Sequence, residues 1–432
     1  MNNRKLRPET AVIHSGYEHE NFSGAQAVPI VQTSSFRFRD TAHAASLFEM
    51  NEFGNVYSRI MNPTNDVLEK RITELEGGAA GLAFSSGQAA IAASVLTLAG
   101  AGDEIIASRS LYGGTHNLFS HAFRKIGIKV HFIPVNGINS FRHLINDRTK
   151  AVYTESISNP SLEIADINGI AATAHDAGLP LIVDNTVSPY IFRPFEHGAD
   201  ITVYSATKFI GGHGNSIGGV LVDSGKFDWD TGRFPLISDP DPEFHGAAFI
   251  QKFSAAGNIA YILKARTAIL RDYGGCMSPF NAFLLLQGLE TLHLRMRKHL
   301  ENARITADYL KKHGCVSWVN YPGGGKTRND RLADRLFPDG PGAIIGFGIN
   351  GGKESGKKFI DSLELIAHLA NIGDAKTLAI HPATTTHARM NGEEREAAGV
   401  TDDYIRLSVG IEHVQDIIDD LDQALKRSQS RG

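Results

Sequence analysis

Apolar positions along the chain follow two rhythms. Short apolar runs of strand length stand at Glu104–Ala107, Lys129–Ile133, Ala151–Tyr153, Leu181–Val183 and Ile201–Tyr204. Between several of them the pattern turns helical. Asp66 opens a run through Leu68, Ile72 and Leu75 that Gly77-Gly78 ends, and an acid in a first turn suits the positive end of the helix dipole. Asp166 to Ala177 reads as another helix, stopped by Gly178. Strands separated by helical crossovers predict an α/β fold, a mostly parallel sheet with helices on both faces. Further on, Leu285, Leu289, Leu292, Met296 and Leu300 share one face of a single long helix, which leads into a smaller C-terminal α+β domain. Two stretches lack either rhythm. Residues 1–65 are irregular and rich in Asn, Ser, Thr and Pro, and Gly225–Gly246 reads as a long loop or insertion with three prolines. The chain contains no internal repeat and no low-complexity tract.

Composition narrows the class. At ~150 residues per domain, 432 residues suggest two to three domains. With 42% hydrophobic and 21% charged residues the chain is neither a disordered tail nor a membrane protein. A net charge of −4 lacks the basic footprint of a nucleic-acid binder. No apolar stretch is long enough to span a membrane, and the start MNNRKLRPETAVIHSG has no apolar core of a secretory signal. Cys276 and Cys315 are the sole cysteines, which fits a reducing, cytoplasmic setting. Glycine is in excess, 44 of 432 or about 10% against a usual ~7%, without a repeat to explain it.

Ligands bind parallel sheets beyond the carboxyl ends of the strands. Leu181-Ile182-Val183 runs into Asp184-Asn185-Thr186, and Ile201 to Tyr204 runs into Ser205-Ala206-Thr207-Lys208, followed by the glycine-rich Phe209 to Gly214. A lysine flanked by hydroxyls and glycines at a strand end suits Schiff-base formation with an aldehyde. A carboxylate one βαβ-like step earlier could pair with a protonated pyridine nitrogen, as pyridoxal phosphate enzymes require. Taken singly, the lysine is more often a solvated charge and the aspartate a helix cap. A third element joins them. Ser85-Ser86-Gly87-Gln88 opens an apolar helical run to Leu98, and its free amides suit a phosphate, with Ser205 and Thr207 as further donors. A plain serine N-cap is the bland alternative.

These segments resemble the pyridoxal phosphate enzymes of Cys/Met metabolism, the trans-sulfuration family, over roughly residues 8–424. The likeness is carried by YSRIMNPT (57–64), SSGQAA (85–90), LYGGTH (111–116), SNP (158–160), VDNT (183–186), YSATKFIGGHGNSIGG (204–219), HPATTTH (381–387) and RLSVGIE (406–412). It implies the pyridoxal phosphate transferase fold of type I. By the resemblance, Lys208 is the Schiff-base lysine and Asp184 the partner of the pyridine nitrogen. Ser86, Gly87, Gln88, Ser205 and Thr207 form the phosphate cradle, Tyr112 stacks on the ring and handles protons, and Asn159 lies near the ring hydroxyl. Tyr57 and Arg59 match a pair that reaches the phosphate of a neighbouring subunit, so residues 1–65 become an arm, 66–280 the cofactor domain and 281–432 the C-terminal domain. Active sites shared across dimers, paired into a homotetramer, are implied. Arg406 matches the clamp for the substrate α-carboxylate, since a guanidinium fork bonds two oxygens at once, and Asn371 lies in the loop beside it.

Within the family the likeness is closest to the O-acetylhomoserine sulfhydrylase branch, through NEFGNVYSRIMNPT, the Gly225–Gly246 insertion and SPFNAFLLLQGLETLHLRM. That branch implies γ-replacement of acetate by sulfide on O-acetyl-L-homoserine, giving L-homocysteine for methionine biosynthesis. O-Succinylhomoserine sulfhydrylase, cystathionine γ-synthase and methionine γ-lyase are the rivals. Methionine γ-lyases usually carry Cys where Gly114 stands, while Thr384 and Ala388-Arg389-Met390 depart from the usual pattern and leave fine substrate preference open. A different class is suggested by Gly323-Gly324-Gly325-Lys326-Thr327, which looks like part of a nucleotide-binding P-loop. The required opening glycine falls on Asn320, so that motif is broken. The pairs His116/His121 and His14/His19 lack helical metal-site spacing, and no metal is expected.

Overall fold

The structure is a computed structural model and describes residues 6–135, 137, 141–386, 388, 392, 395 and 399–430. His387, Arg389 and Met390 of the sequence motifs lie outside the described residues.

Seven strands form the first sheet: β1 (Ala80–Phe84), β2 (Glu104–Ser108), β3 (Lys129–Ile133), β4 (Thr149–Glu155), β5 (Leu181–Asp184), β6 (Ile201–Tyr204) and β7 (Gly219–Asp223). Their order is β1-β7-β6-β5-β4-β2-β3. β3, β2, β4, β5 and β6 are mutually parallel, and β7 runs against both β6 and β1. β4, β5 and β6 are buried along their whole length, as expected of strands covered by helices on both faces. The five predicted strands are present. β1 and β7 were not predicted: AGLAF is short and small-residued, and GVLVD hides behind the glycines that follow Lys208. Their pairing sets Phe84 opposite Gly219, which brings the following Ser86 against the start of β7.

The helix expected from Asp66 starts earlier, at Pro63, and runs to Glu76. The Asn62 side chain caps it by accepting from the Thr64 amide at 3.0 Å, and Gly77 ends it at φ 71°. The Ile167–His175 helix closes on Gly178 at φ 65°. The single long helix expected through Leu285–Leu300 is two, Pro279–Glu290 and Leu292–Leu310. Thr291 breaks the run at ψ 5°, its hydroxyl bonding back to the Gly288 carbonyl at 3.3 Å. The N-terminal stretch is less irregular than its composition suggests. It holds helices Pro8–His14 and Thr41–Phe48, the latter capped by Asp40 accepting from the His43 amide at 2.8 Å. The Gly225–Gly246 stretch is a loop with two short turns, but it is packed rather than loose. Trp229 is 1% exposed and stacks on Tyr261 at 5.1 Å between ring centres.

A second, mostly antiparallel sheet contains β8 (Val316–Asn320), β9 (Ile344–Ile349), β10 (Ala367–His368), β11 (Leu378–Ile380) and β12 (Tyr404–Ser408), in the order β10-β11-β12-β9-β8. Trp318 on β8 is half-buried and donates to Asp403 at 2.9 Å. One apolar core runs without interruption from a face of the first sheet (Val183, Phe209) through Leu285 and Met296 into the second (Ile345, Leu407). Each such side chain contributes about 1.5–3 kcal/mol on burial, so this shared core fixes the two sheets against each other. A separate core covers the opposite face of the first sheet, with Phe84, Ile105, Tyr153 and Trp229. Among the described residues no helix is long and apolar enough to cross a membrane.

Candidate active site

The carboxyl ends of β4, β5 and β6 open into a cavity of about 270 Å³ that the second sheet closes from one side. Every predicted site residue except Tyr57 and Arg59 lines it: Ser86, Gly87, Gln88, Tyr112, Asn159, Asp184, Ser205, Thr207, Lys208, Asn371 and Arg406. β5 and β6 are neighbours in register, Asp184 opposite Val203, so the aspartate and the lysine segment leave adjacent strand ends. Arg406 comes from β12, where it pairs with Ile380 and Gly346.

The electrostatics of this floor are unusual. Burial pushes the Lys208 amine down to about 8, and the nearby Arg406 guanidinium pushes the same way. Its Nζ donates to Asn371 Oδ1 at 2.5 Å. Arg406 donates to the Asn371 carbonyl and to Asn159 Oδ1, both at 3.1 Å, so Asn371 bridges lysine and arginine. Asp184 is buried, and burial raises it above the ordinary carboxylate range although the Thr186 amide donates to it at 2.9 Å. Glu155 lies beside it at the end of β4. Burial, then the proximity of Asp184, raises Glu155 well above its usual range.

At the opposite end of the cavity the Gly87–Leu96 helix begins. Ser86 is its N-cap, accepting from the Ala89 amide at 3.1 Å, so the serine does serve as a cap. The amides of Gly87 and Gln88 lie in the first turn, where no helical carbonyl reaches them. Side chains are excluded by contact. A Cβ at Gly87 would sit 2.5 Å from the Ser205 Cβ, and one at Gly219 would sit 2.1 Å from the Ser86 carbonyl oxygen. Thr207 is tied in by the Gly218 amide, which donates to its hydroxyl at 3.0 Å. Tyr112 stands at the mouth, half exposed, with its amide donating to Glu155 at 2.6 Å.

Tyr57 and Arg59 are exposed and lie away from the cavity, the guanidinium 5.2 Å from the ring centre. Within one chain the structure does not bring them to the site.

Residues 9–426 match the family of Cys/Met metabolism PLP-dependent enzymes. The chain belongs to that family. It is 52% identical over 430 residues to an O-acetyl-L-homoserine sulfhydrylase of Leptospira meyeri, covering 98% of this chain and 97% of the relative. It is 50% identical to a homocysteine synthase of Schizosaccharomyces pombe, over 97% of this chain and 98% of the relative. The fold matches a putative O-acetylhomoserine (thiol)-lyase of Campylobacter jejuni, solved with an N'-pyridoxyl-lysine-5'-monophosphate residue. The TM-score is 0.93 at 36% identity, covering 98% of this chain and all of that one.

Pyridoxal phosphate, the family's cofactor, fits the donor set on this chain's own geometry. Asp184 is a buried carboxylate whose bonding partners, the Thr186 amide and the Tyr153 hydroxyl, are neutral; a cationic ring nitrogen would supply the missing countercharge. Gly87 and Gly219 keep the helix N-terminus open to a phosphate. An amine held near 8 is available as a nucleophile.

Glu155 was missed by sequence reading. The rule that singled out Asp184, a carboxylate just past an apolar strand, also applies to Ala151–Tyr153, but the strand runs two residues further than its apolar run and ends on the acid. The Gly323–Thr327 loop is no phosphate site. Its Gly323 and Gly324 amides already donate to Asp330 at 2.9 Å and Asp334 at 3.1 Å, and Thr327 caps the Arg328–Leu336 helix. A larger cavity of about 1080 Å³ beside that loop, with Arg304, Asp308 and Asp334 on its walls, has no comparable constellation.

Proposed function

We propose that the protein is an O-acetylhomoserine sulfhydrylase, converting O-acetyl-L-homoserine and sulfide into L-homocysteine and acetate in methionine biosynthesis. The observation that carries this reading is identity of about half along the whole chain to relatives named O-acetyl-L-homoserine sulfhydrylase and homocysteine synthase, joined to a cavity holding Lys208, Asp184 and Arg406. When bound, pyridoxal phosphate supplies an electron sink for charge that develops on the substrate's Cα.

The chain's own residues supply the rest. Asp184 pairs with the ring nitrogen, and Gly87, Gln88, Ser86, Ser205 and Thr207 hold the phosphate. Arg406 takes the α-carboxylate in a bidentate grip, with Asn371 and Asn159 keeping the guanidinium in line. Lys208 Nζ, whose pKa of about 8 leaves a fraction of the amine unprotonated near neutral pH, removes the Cα proton as general base. Tyr112 at the mouth handles protons near the leaving group. A Cβ proton is then removed, the Cγ–O bond breaks and acetate leaves with its electron pair; hydrosulfide adds to form the Cγ–S bond, and protons returned to Cβ and Cα complete homocysteine.

Residues 1–65 serve as an arm, 66–280 as the cofactor domain and 281–432 as the C-terminal domain. Tyr57 and Arg59 reach the phosphate of a neighbouring subunit, in a homotetramer of dimers with shared sites. Their exposure and distance from their own cavity support this reading. Free thiols at Cys276 and Cys315 support a cytoplasmic setting.

Steady-state turnover decides the substrate. O-Acetylhomoserine with sulfide is expected to exceed O-succinylhomoserine with sulfide, either donor with cysteine, and methionine alone. Faster γ-elimination of methionine would reassign the enzyme as a lyase. Lys208→Ala should abolish both turnover and the visible absorption of bound cofactor; survival of both would remove Lys208 from its role.

A further inference from the structure

The inward face of the Leu292–Leu310 helix ought to be apolar, and Leu292, Met296 and Ala303 are. Arg295, His299 and Asn302, at spacings of four and three, are nevertheless buried on it. Burying polar groups is unfavourable unless they are bonded, and each of these is bonded to backbone that leads into the active site.

Arg295 faces the lysine side. Its Nη1 donates to the Phe209 carbonyl at 2.6 Å, and its Nη2 to those of Ile210 at 3.0 Å and Gly288 at 2.6 Å. Phe209 and Ile210 directly follow Lys208. A Cβ on Gly212 would lie 2.2 Å from Arg295 Nη1, so glycine lets the turn close on the guanidinium. The bonding partners of this buried cation are carbonyls and the Thr291 hydroxyl, with no carboxylate among them. Its geometry is therefore specified by the lysine turn itself.

His299 and Asn302 face the arginine side. His299 Nδ1 bonds the Val409 carbonyl at 2.7 Å. Asn302 donates to the carbonyls of Gly410 at 3.0 Å and Glu412 at 2.8 Å. These residues continue the β12 strand that carries Arg406. The segment holding Asn371 is laced to the same two places: the Ala375 amide donates to the Gly212 carbonyl, and the Ile411 amide to the Ala375 carbonyl, both at 2.8 Å.

We propose that Arg295, His299 and Asn302 are positioning residues forming one strut, a rigid helix face that fixes the turn after Lys208 against the strand end after Arg406. The strut sets the separation between the amine that moves the Cα proton and the clamp that holds the α-carboxylate. It rests on the reading of Lys208 and Arg406 as the two poles of the site.

The test uses the cofactor-loaded enzyme with Arg295→Lys, Asn302→Ala and, as a packing control on the same helix, Leu300→Ala. Lysine keeps the charge but cannot fork across several carbonyls. Arg295→Lys is expected to lower kcat about tenfold with KM for O-acetylhomoserine within about twofold, because small misplacements of a reacting group are costly in rate. Asn302→Ala is expected to show the opposite split, KM up about tenfold and kcat within about twofold. Leu300→Ala should lower the melting temperature and move neither constant. Titration with L-homoserine, which lacks a good leaving group, followed by cofactor absorbance, should show weaker binding for Asn302→Ala and not for Arg295→Lys. If both polar variants merely melt earlier, as Leu300→Ala does, or shift both constants in the same direction, the strut is overturned. If the unaltered enzyme fails to turn over O-acetylhomoserine while the L-homoserine contrast persists, the proposed substrate falls and the strut stands.

Discussion

At Ser86–Gln88 and again at Gly323–Thr327 the chain does the same thing locally, leading small residues into a helix. At the first turn Ser86 caps the helix, while Gly87 and Gln88, whose amides no helical carbonyl reaches, line the cavity beside Ser205 and Thr207. At the second, Asp330 and Asp334 have taken the Gly323 and Gly324 amides, and the helix cap is closed on both sides. The glycines differ as well. Gly87 has ordinary φ but no room for a Cβ, whereas Gly324 sits at φ +86° with open space around it. A phosphate site thus depends less on glycine count than on whether the amides are still unclaimed and whether glycine is there for approach or merely for a turn.

Substitutions can break this contrast. Gly87→Val drives a side chain into Ser205. Overpacking of that kind costs about 1–3 kcal/mol, which, if felt in full by the cofactor, is roughly five- to 150-fold in the Kd for pyridoxal phosphate measured by absorbance titration. Next comes the pH dependence of cofactor capture. Lys208 is depressed to about 8, so the neutral amine that attacks the aldehyde is lost below that pH. The rate of visible-band formation in cofactor-free protein should fall about tenfold per pH unit below 8 and level off above it. The same depression has a stability sign. The unfolded chain holds the lysine proton up to its ordinary, higher pKa, so cofactor-free protein gains stability as pH rises from about 8 toward that value. A denaturant midpoint falling over that interval would refute the shift.

Smaller effects belong to the second turn. Gly324→Ala should cost about 1–2 kcal/mol in denaturant unfolding for the left-handed backbone, and Asp330→Asn about 1 kcal/mol for the weakened cap. Neither should alter the Kd for pyridoxal phosphate. Lys326 is exposed, so Lys326→Ala should stay within about 0.5 kcal/mol, and calorimetry should detect no ATP binding to either form. ATP binding lost on this substitution would restore the nucleotide reading of the loop.

Much of the site was legible because its chemistry sits where parallel sheets put it. Asp184 and Lys208 each follow an apolar run, and Gly77 and Gly178 stop helices where expected. What was hidden had physical reasons. β1 carries too many small residues for a strand pattern and β7 is hidden behind the glycines after Lys208, yet their pairing brings Gly219 under Ser86. Thr291 divides a helix whose apolar spacing never falters. Arg295 and His299 leave no signal in the sequence, because Phe209, Ile210 and Val409, whose carbonyls they bond, lie 85 to 110 residues away. Tyr57 and Arg59 were found through resemblance, not pattern, since a role in a neighbouring subunit leaves no trace in one chain's periodicity.

The packed loop and the second sheet each contain one of the chain's two tryptophans, Trp229 and Trp318. Trp229, sealed and stacked on Tyr261, should emit at shorter wavelength than half-buried Trp318, so each sheet has its own fluorescent reporter. Because the first sheet carries Trp229's core on one face and, on the other, a shared core that passes into the second sheet, the two emissions should fade together as denaturant is raised. Single-tryptophan variants, Trp229→Phe and Trp318→Phe, would turn that shared core into a measurable coincidence of two unfolding curves.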